Sequence, residues 1–392
     1  MIWGGLTVRE LLIGCLLLLQ LPAVLVLLAR LFGALGRLPP LQPVLEEHPR
    51  YKATVSVVIP TLNEGSRIGP CLAGVEQQGA AVREILVVDS RSQDDTVAQV
   101  LARQRRDPRF RVLTDPPLPP DWIGRPWALH HGFLASDPDS EWILGLDADT
   151  RPQPGLVNAL LREAERGGWE LLTLAPRFLL EYPGEAWLQP ALLLTLIYRF
   201  GAAGGGADAE RMMANGQCML VRRRVLERLG GYRVARQSFC DDVTLVRAAA
   251  RQGVRVGFLD GAQVLQVRMY TSLGETWREW GRSLALKDGA PPGQVLVDGI
   301  FLLLVMGLPL PLLTGWLGLQ PWTSDWILER IAWFVNLGLV GIRWGMLLAI
   351  RPSYQRPPWT FWLSPLADPL ASARILISLF SRPKRWRGRI YA

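Results

Sequence analysis

Trp142-Ile143-Leu144-Gly145-Leu146-Asp147-Ala148-Asp149 is an apolar run that stops on two acids. Five apolar residues bounded by turn-forming ones read as a strand buried on both faces. The acids then stand at its carboxyl end, where open α/β sheets bind their ligands. In an extended segment, residues two apart point the same way, so both carboxylates can face one ion. Two hard oxygen ligands beside a diphosphate suit Mg²⁺ or Mn²⁺, which complete their shell with phosphate and water. The tripeptide alone is weak, because 18 aspartates give about one chance match. Asp137-Pro138-Asp139 is such a match, with a proline in a polar loop. The strand before Asp147 separates the two.

Two further segments repeat the design. Val55-Ser-Val-Val-Ile-Pro60-Thr-Leu-Asn63-Glu64 and Glu84-Ile-Leu-Val-Val-Asp89 are apolar, β-branched runs that end in polar groups. Helical patterns separate the three, which predicts a parallel sheet covered on both faces over residues 54–267.

The flanks are of another kind. Leu11–Phe32 holds no charge except Arg30. At about 1.5 Å per residue it is long enough to cross a bilayer, and its apolar core is too long for a signal peptide. Residues 1–36 are therefore expected to anchor the chain, and the proline-rich 37–53 to link. Arg30 and Arg37 after the span put the following domain in the cytosol by the positive-inside rule. Apolar segments return at Gly299–Leu319, where Pro309 and Pro311 predict a kink, and at Ile331–Ile350, where Arg343 must face protein or snorkel. These give two spans within 299–350. Residues 361–380 are broken by Pro365, Asp368, Pro369 and Arg374, and five basic residues follow between Arg382 and Arg389. If domain and tail are both cytosolic, the spans between them are even in number. Residues 351–392 then hold an interfacial or re-entrant segment and a basic tail.

Composition agrees. Hydrophobic residues make up 49% and charged residues 20%, too apolar for a disordered chain. The net charge of +8 fits an anionic membrane surface or a phosphorylated substrate. No nucleic-acid-binding motif accompanies it. Cys15, Cys71, Cys218 and Cys240 lack the spacing of a zinc site or a disulfide framework.

On these residues the chain resembles a family 2 glycosyltransferase of the GT-A fold, whose pattern runs IPxxNE, VVDDGSxDxT and DxD. The resemblance implies a nucleotide-sugar donor held by Pro60, Asn63, Glu64 and Asp89, with Asp89 on the nucleoside. Asp147 would meet the ribose or sugar and share the metal with Asp149. The sequence reads Asp89-Ser90-Arg91-Ser92 where the pattern has DDGS, so the second acid and the glycine are replaced. Trp122-Ile-Gly-Arg125-Pro-Trp127-Ala resembles the W-x-G-K-x-W-A loop of lipid-modifying members. Arg125 replaces the usual lysine and could pair bidentately with the donor diphosphate. Two exposed Trp residues, Trp122 and Trp127, would argue for acceptor binding. In the family the Gly216-Gln217 stretch lines the acceptor site.

Cys240-Asp241-Asp242-Val243 opens a helix. Asp241 could cap it or meet the acceptor. Asp242 aligns with the family's catalytic base. The helix amino terminus favours its ionised form and the neighbouring acid opposes it, a balance suited to accepting a proton. The expected reaction is one displacement with inversion.

Ser272 and Glu275 have capping-box spacing, and Leu273, Trp277, Trp280 and Leu284 share one face at α-helical spacing. Residues 268–298 thus read as an interfacial amphipathic region with Trp277 and Trp280 at headgroup depth, near the acceptor. Gln-x-x-Arg-Trp, the mark of processive synthases, is absent, which favours transfer of a single sugar. Arg268-Met-Tyr and the terminal Trp386-Arg-Gly-Arg-Ile-Tyr391 resemble a narrower group of carotenoid and hopene-associated glycosyltransferases, implying a lipophilic acceptor. A myxol-type xanthophyll glycosylated at its 2'-oxygen is the favoured one. A hopanoid or polyprenyl phosphate acceptor, a non-catalytic sugar-nucleotide-binding scaffold and a transporter are the competing readings, the last opposed by few spans without repeats.

Overall fold

The computed structural model describes residues 8–33, 36–204, 208–280, 284, 286, 288, 292–316, 326–380, 385–386 and 389–390. They form two compact units. One comprises 36–179 and 202–269 with the C-terminal residues from 383, and the other 1–35, 180–201 and 270–382. The chain therefore does not divide in sequence order: helix 183–200, inside the range 54–267 expected as one domain, groups with the apolar flanks.

The first unit is the α/β domain. Its strands are β1 (Val55–Thr61), β2 (Val82–Asp89), β3 (Phe110–Thr114), β4 (Trp142–Leu146), β5 (Thr150–Pro152), β6 (Leu171–Ala175), β7 (Arg177–Leu179), β8 (Cys218–Arg222), β9 (Val256–Asp260) and β10 (Leu265–Val267). Seven make one sheet in the order β3-β2-β1-β4-β8-β6-β9. β1 pairs in parallel with both β2 and β4, whereas β8 runs antiparallel to β4 and β6. The strand order reverses between β1 and β4, so their carboxyl ends frame the crevice of an open sheet. β1 is buried along nearly all its length, as a central strand covered on both faces must be.

Helices α2 (Gly65–Glu76), α3 (Thr96–Gln104), α4 (Gly124–Ala135), α5 (Leu156–Gly167), α7 (Arg223–Leu229) and α8 (Asp241–Arg251) belong to this unit, and α1 (Val8–Gly33) and α6 (Pro183–Phe200) to the other. At Gly132, α4 approaches the sheet so closely that a Cβ would come 2.3 Å from Val58 Cγ1. Val57, Ile59, Ile85, Val87, Leu144 and Leu220 form the centre of the core. β5 and β10 pair antiparallel, and β10 pairs with β7 in parallel, in a small second sheet.

The second unit is helical. Val8–Gly33, Gly293–Gly315 and Ile327–Ser353 are long and apolar enough to cross a membrane. Ile13, Leu17 and Ala332 pack together at 0–4% exposure. Around Pro309–Pro311 the helix widens into π turns at Leu303–Gly307 and Leu312–Trp316. Proline has no N–H to donate, so the ladder shifts, and Leu308 N–H reaches back to Leu303 O at 2.8 Å. Arg343 is buried. Its Nε donates to Asp368 Oδ1 and Oδ2 at 3.0 and 2.8 Å, and its Nη2 to Ser364 Oγ at 3.0 Å. Residues 359–380 form a 3₁₀ stretch, Trp359–Ala367, and a helix of 13 residues, Asp368–Phe380. That helix is about 20 Å long, short of the hydrocarbon core. The basic tail falls largely outside the described residues.

The region after 268 differs from its expected form. Ser272 Oγ accepts from Glu275 N–H at 3.1 Å, and Glu275 Oε2 accepts from Thr271 N–H at 2.9 Å, so the capping box closes one residue early. Thr276–Trp280 is a π turn, which rotates the side chains off α-helical spacing. Leu273 is exposed while Trp280 and Leu284 are buried, so the four do not share one outward face.

Candidate functional site

The crevice is assembled from strand ends. β1 and β2 lie in register to their last residues, Thr61 opposite Asp89. Asp89 is buried and accepts from Thr61 Oγ1 at 3.2 Å and from Ser92 N–H at 2.9 Å. Arg91 stands at φ 65°, the left-handed region that favours glycine, the residue of the family pattern at this position. Arg91 Nη2 donates to Asp115 O at 3.1 Å and Ser90 Oγ to Asp115 Oδ2 at 2.7 Å, contacts that hold the strained residue. Asn63, also left-handed at φ 54°, accepts from Gln93 N–H, and its own N–H donates to Ser92 Oγ, both at 2.8 Å. The loops after β1 and β2 are thus zipped together. Pro60 pairs with Val88 on the rim of this crevice.

Asp147 and Asp149 follow β4 in a tight turn rather than an extended segment. Thr150 closes it, donating its N–H and Oγ1 to Asp147 O at 3.1 and 2.7 Å. Alternation along a strand therefore does not bring the carboxylates together; the turn does. Burial, Asp147 and Glu64 push the Asp149 carboxyl well above its usual range. Its Oδ1 is buried and has no hydrogen-bond partner among the described residues. Glu64 is likewise raised to about 7, chiefly by burial, against the pull of Arg67 at 3.1 Å.

Arg125 ties the other half together. Its Nε donates to Asp147 Oδ1 at 2.9 Å and its Nη2 to Gly216 O at 2.6 Å, while Nη1 pairs with Asp241. Burial works against its charge, but Asp147, Asp241 and Asp242 together hold it protonated. A Cβ on Gly216 would lie 2.6 Å from Arg125 Nη2, so residue 216 must be glycine for the guanidinium to sit there. Asp241 does not cap α8; it is buried, and burial pushes it up to about 7. Asp242 is half-buried. Its Oδ2 accepts from Gly216 N–H and its Oδ1 from Val243 N–H, both at 2.8 Å. Burial raises its pKa while Arg125 lowers it. Gln217 O accepts from Asp147 N–H at 3.1 Å, joining this loop to the acids.

Trp122 is buried, contrary to the exposed position expected of it, and Trp127 is half-buried. Trp122 stacks on His130 with centroids 5.0 Å apart, and Trp127 Nε1 donates to Pro116 O at 3.0 Å. Burial, with Arg233 and His131, pushes His130 down to about 4, which keeps the stacked ring neutral. Trp277 and Trp280 belong to the other unit, where Arg374 Nε donates to Trp277 O at 3.1 Å. Sequence reasoning missed Arg67, Thr150 and Asp115. Arg67 follows Glu64 by three residues, a spacing that the sequence displays. Asp115 directly follows β3, one residue past the position paired with Asp89.

Residues 56–230 match the family model Glycosyl transferase family 2. The chain carries a family 2 glycosyltransferase domain. The 4,4'-diaponeurosporenoate glycosyltransferase of Staphylococcus haemolyticus (strain JCSC1435) is 24% identical over 260 residues, which are 65% of this chain and 66% of that protein, just under two thirds of its length. The mannosyltransferase PcManGT from Pyrobaculum calidifontis, solved in complex with GDP-Man and Mn²⁺, superposes with a TM-score of 0.53 at 19% identity, covering 92% of this chain and 97% of its own. That likeness is one of fold: the glycosyltransferase domain here shares the GT-A arrangement, a largely parallel sheet with acids at its carboxyl edge.

The donor set of this domain fits a divalent cation. Asp149 offers a buried oxygen with no other partner, and Asp147 lies beside it. Among the described residues no three His, Cys, Asp or Glu side chains form a complete cage. An ion here would draw the rest of its shell from phosphate and water, as Mg²⁺ and Mn²⁺ ordinarily do.

Proposed function

We propose that this protein transfers a single sugar, with inversion, from a nucleotide-sugar donor to a hydroxyl of a membrane lipid of carotenoid type. One observation carries the reading most directly: Asp149 Oδ1 is buried and unpartnered at the switch-point crevice of a family 2 domain. A buried unpaired carboxylate is costly and persists where a ligand completes it. The diaponeurosporenoate relative and three span-length helices support a lipophilic acceptor presented at a bilayer. The mannosyltransferase neighbour's GDP-Man and Mn²⁺ support a nucleotide-sugar donor and a divalent ion.

The proposed division of labour follows the geometry. Asp89, Asn63, Glu64 and Pro60 line the nucleoside end, and Asp147 meets the donor sugar. Asp149 and Asp147 would hold a divalent cation, which when bound would supply positive charge toward the leaving diphosphate. Arg125 acts first through the chain, holding Asp147, Gly216 and Asp241 in one arrangement. Gly216 N–H holds Asp242 through one oxygen, and burial raises that carboxylate's proton affinity. Asp242 takes the proton of the acceptor hydroxyl as the oxygen attacks the anomeric carbon. Arg30 and Arg37, following the first span, favour the cytosolic face for the domain.

Expression in a carotenoid-producing host, followed by mass spectrometry of lipid extracts, tests this. Wild type yields a glycosylated carotenoid that the empty vector lacks. Asp242→Asn lowers its formation by about 10²–10⁴-fold at equal protein level. Wild-type yield from Asp242→Asn, or no glycosylated lipid from wild type, would overturn the assignment.

A further inference from the structure

The small sheet begins one residue after Asp149. Its register sets Gln266 opposite Arg151 on one side and opposite Arg177 on the other. Residues paired across neighbouring strands share a face of the sheet. The opposite face is Thr150, Val267 and Phe178, all at 0–7% exposure, and is committed to the interior. Arg151, Gln266 and Arg177 are all half-buried, and they face the other way. Arg268 N–H donates to Asp149 O at 3.3 Å, which extends the ladder one pair further toward the acidic turn. The row therefore starts at the crevice.

Strands about 4.8 Å apart set the Cα atoms of Arg151 and Arg177 roughly 10 Å from one another. Arginine side chains span that gap easily and can converge on one small group above Gln266. Neither Arg151 nor Arg177 makes an ion pair among the described residues. Arg177 Nε is buried without a hydrogen-bond partner there. A guanidinium with a dry, unmatched donor is costly, and an oxyanion meets it with two parallel hydrogen bonds. The Gln266 amide adds a neutral donor between the two charges.

We infer that Arg151, Gln266 and Arg177 form a binding site for an oxyanion, a carboxylate or phosphate, borne by the acceptor lipid. This rests on the proposed transfer reaction for the word acceptor, while the anion site itself stands on the sheet register. It narrows the acceptor to lipids with an acidic end. A bulk phospholipid headgroup offers the same chemistry, and the test separates the two.

The whole protein in a neutral detergent is titrated with farnesyl phosphate, farnesoic acid, farnesol and dihexanoyl phosphatidylglycerol, with binding read by isothermal calorimetry. Wild type binds the phosphate and the acid at least about tenfold more tightly than farnesol or phosphatidylglycerol. Arg151→Gln and Arg177→Gln each weaken the two acidic probes about tenfold and barely change farnesol. Arg→Lys at either position restores part of the loss, and exposed Arg228→Gln changes nothing. In the sugar-transfer assay the same two glutamine variants raise KM for an acidic acceptor more than they lower kcat. Equal affinity for all four probes, or equal losses on acidic and neutral probes, overturns the site. Phosphatidylglycerol binding as tightly as farnesyl phosphate overturns its assignment to the acceptor. Binding as expected with no sugar transfer from any donor supports the anion site and overturns the transfer reaction instead.

Discussion

The two units handle buried charge in opposite ways. In the helical unit, Arg343 and Asp368 are each 4% exposed and answer one another, with Ser364 alongside. In the α/β unit, Glu64, Asp147, Asp149, Asp241 and Asp242 crowd one crevice, where Arg67 pairs with Glu64 and Arg125 with Asp147 and Asp241, two guanidinium groups among five carboxylates. Burial is the chief cause of the raised carboxyls there, and neighbouring acids add to it: Glu64 and Asp241 rise to about 7, and Asp149 and Asp242 rise as well. A matched pair buried in an apolar unit serves the fold. Acids gathered in a crevice without matching cations cost stability, which fits the divalent ion of the proposed reaction.

The contrast breaks most sharply on single substitutions. Asp149→Asn removes a charge the fold disfavours. The ligand-free protein should melt at or above the wild-type temperature, while turnover falls about 10²–10³-fold and Mn²⁺ no longer raises the melting temperature. Arg343→Leu does the reverse. It strands Asp368 without its partner and costs about 3–5 kcal/mol, most of which Arg343→Leu with Asp368→Leu recovers. Calorimetry of the four proteins in one detergent decides. If Asp149→Asn melted as early as Arg343→Leu, Asp149 would be part of the scaffold.

The strands were legible because their chemistry is local. Val55–Pro60, Glu84–Asp89 and Trp142–Leu146 announce themselves by unbroken apolar runs, and each structural strand contains or equals the predicted one. The three apolar spans were legible for the same reason, though the second begins at Gly293 and the third at Ile327. What sequence could not supply was the tertiary partner. Arg125 reads as a free cation for a diphosphate, yet it is held by Asp147, Asp241 and the Gly216 carbonyl, 22 to 116 residues away. Trp122 reads as an exposed loop residue and is buried against His130. Arg91 hides its role altogether, because only the backbone reveals φ 65° at a non-glycine. The π turn at Thr276–Trp280 defeats any face drawn at α-helical spacing.

The raised carboxyls also fix the sign of a pH effect. Carboxylates whose folded pKa is raised bind more protons folded than unfolded between the two values. For Glu64 that window runs from 4.5 to about 7. Stability of the ligand-free protein should therefore be greatest below the window and fall as pH rises through it, with Asp241 acting in the same sense. Mn²⁺ should offset the fall, and by more at pH 7.5 than at pH 5, because the ion binds the deprotonated acids. Melting curves at several pH values, with and without Mn²⁺, give the slope directly. A melting temperature that rose between pH 5 and 7.5 in the absence of metal would mean that the acids are matched after all.

The smallest effect belongs to the helical unit's amide pair. Gln20 Nε2 donates to Asn336 Oδ1 at 2.9 Å, and Asn336 Nδ2 returns a bond to Gln20 Oε1 at 3.3 Å, both residues at 0% exposure. The pair joins the first span to Ile327–Ile350, and each amide keeps a second bond, Gln20 to Leu304 O and Asn336 to Ala332 O. Those second bonds limit what the pair itself contributes. A double-mutant cycle through Gln20→Leu and Asn336→Leu should return a coupling of about 0.5–1.5 kcal/mol, far below the charged pair at Arg343. A coupling near zero would leave apolar packing of Ile13, Leu17 and Ala332 to set how the spans align. A coupling as large as that of the ion pair would mean that these neutral amides, like Arg343 and Asp368, are held away from every other partner, and the second bonds would then contribute nothing to either residue.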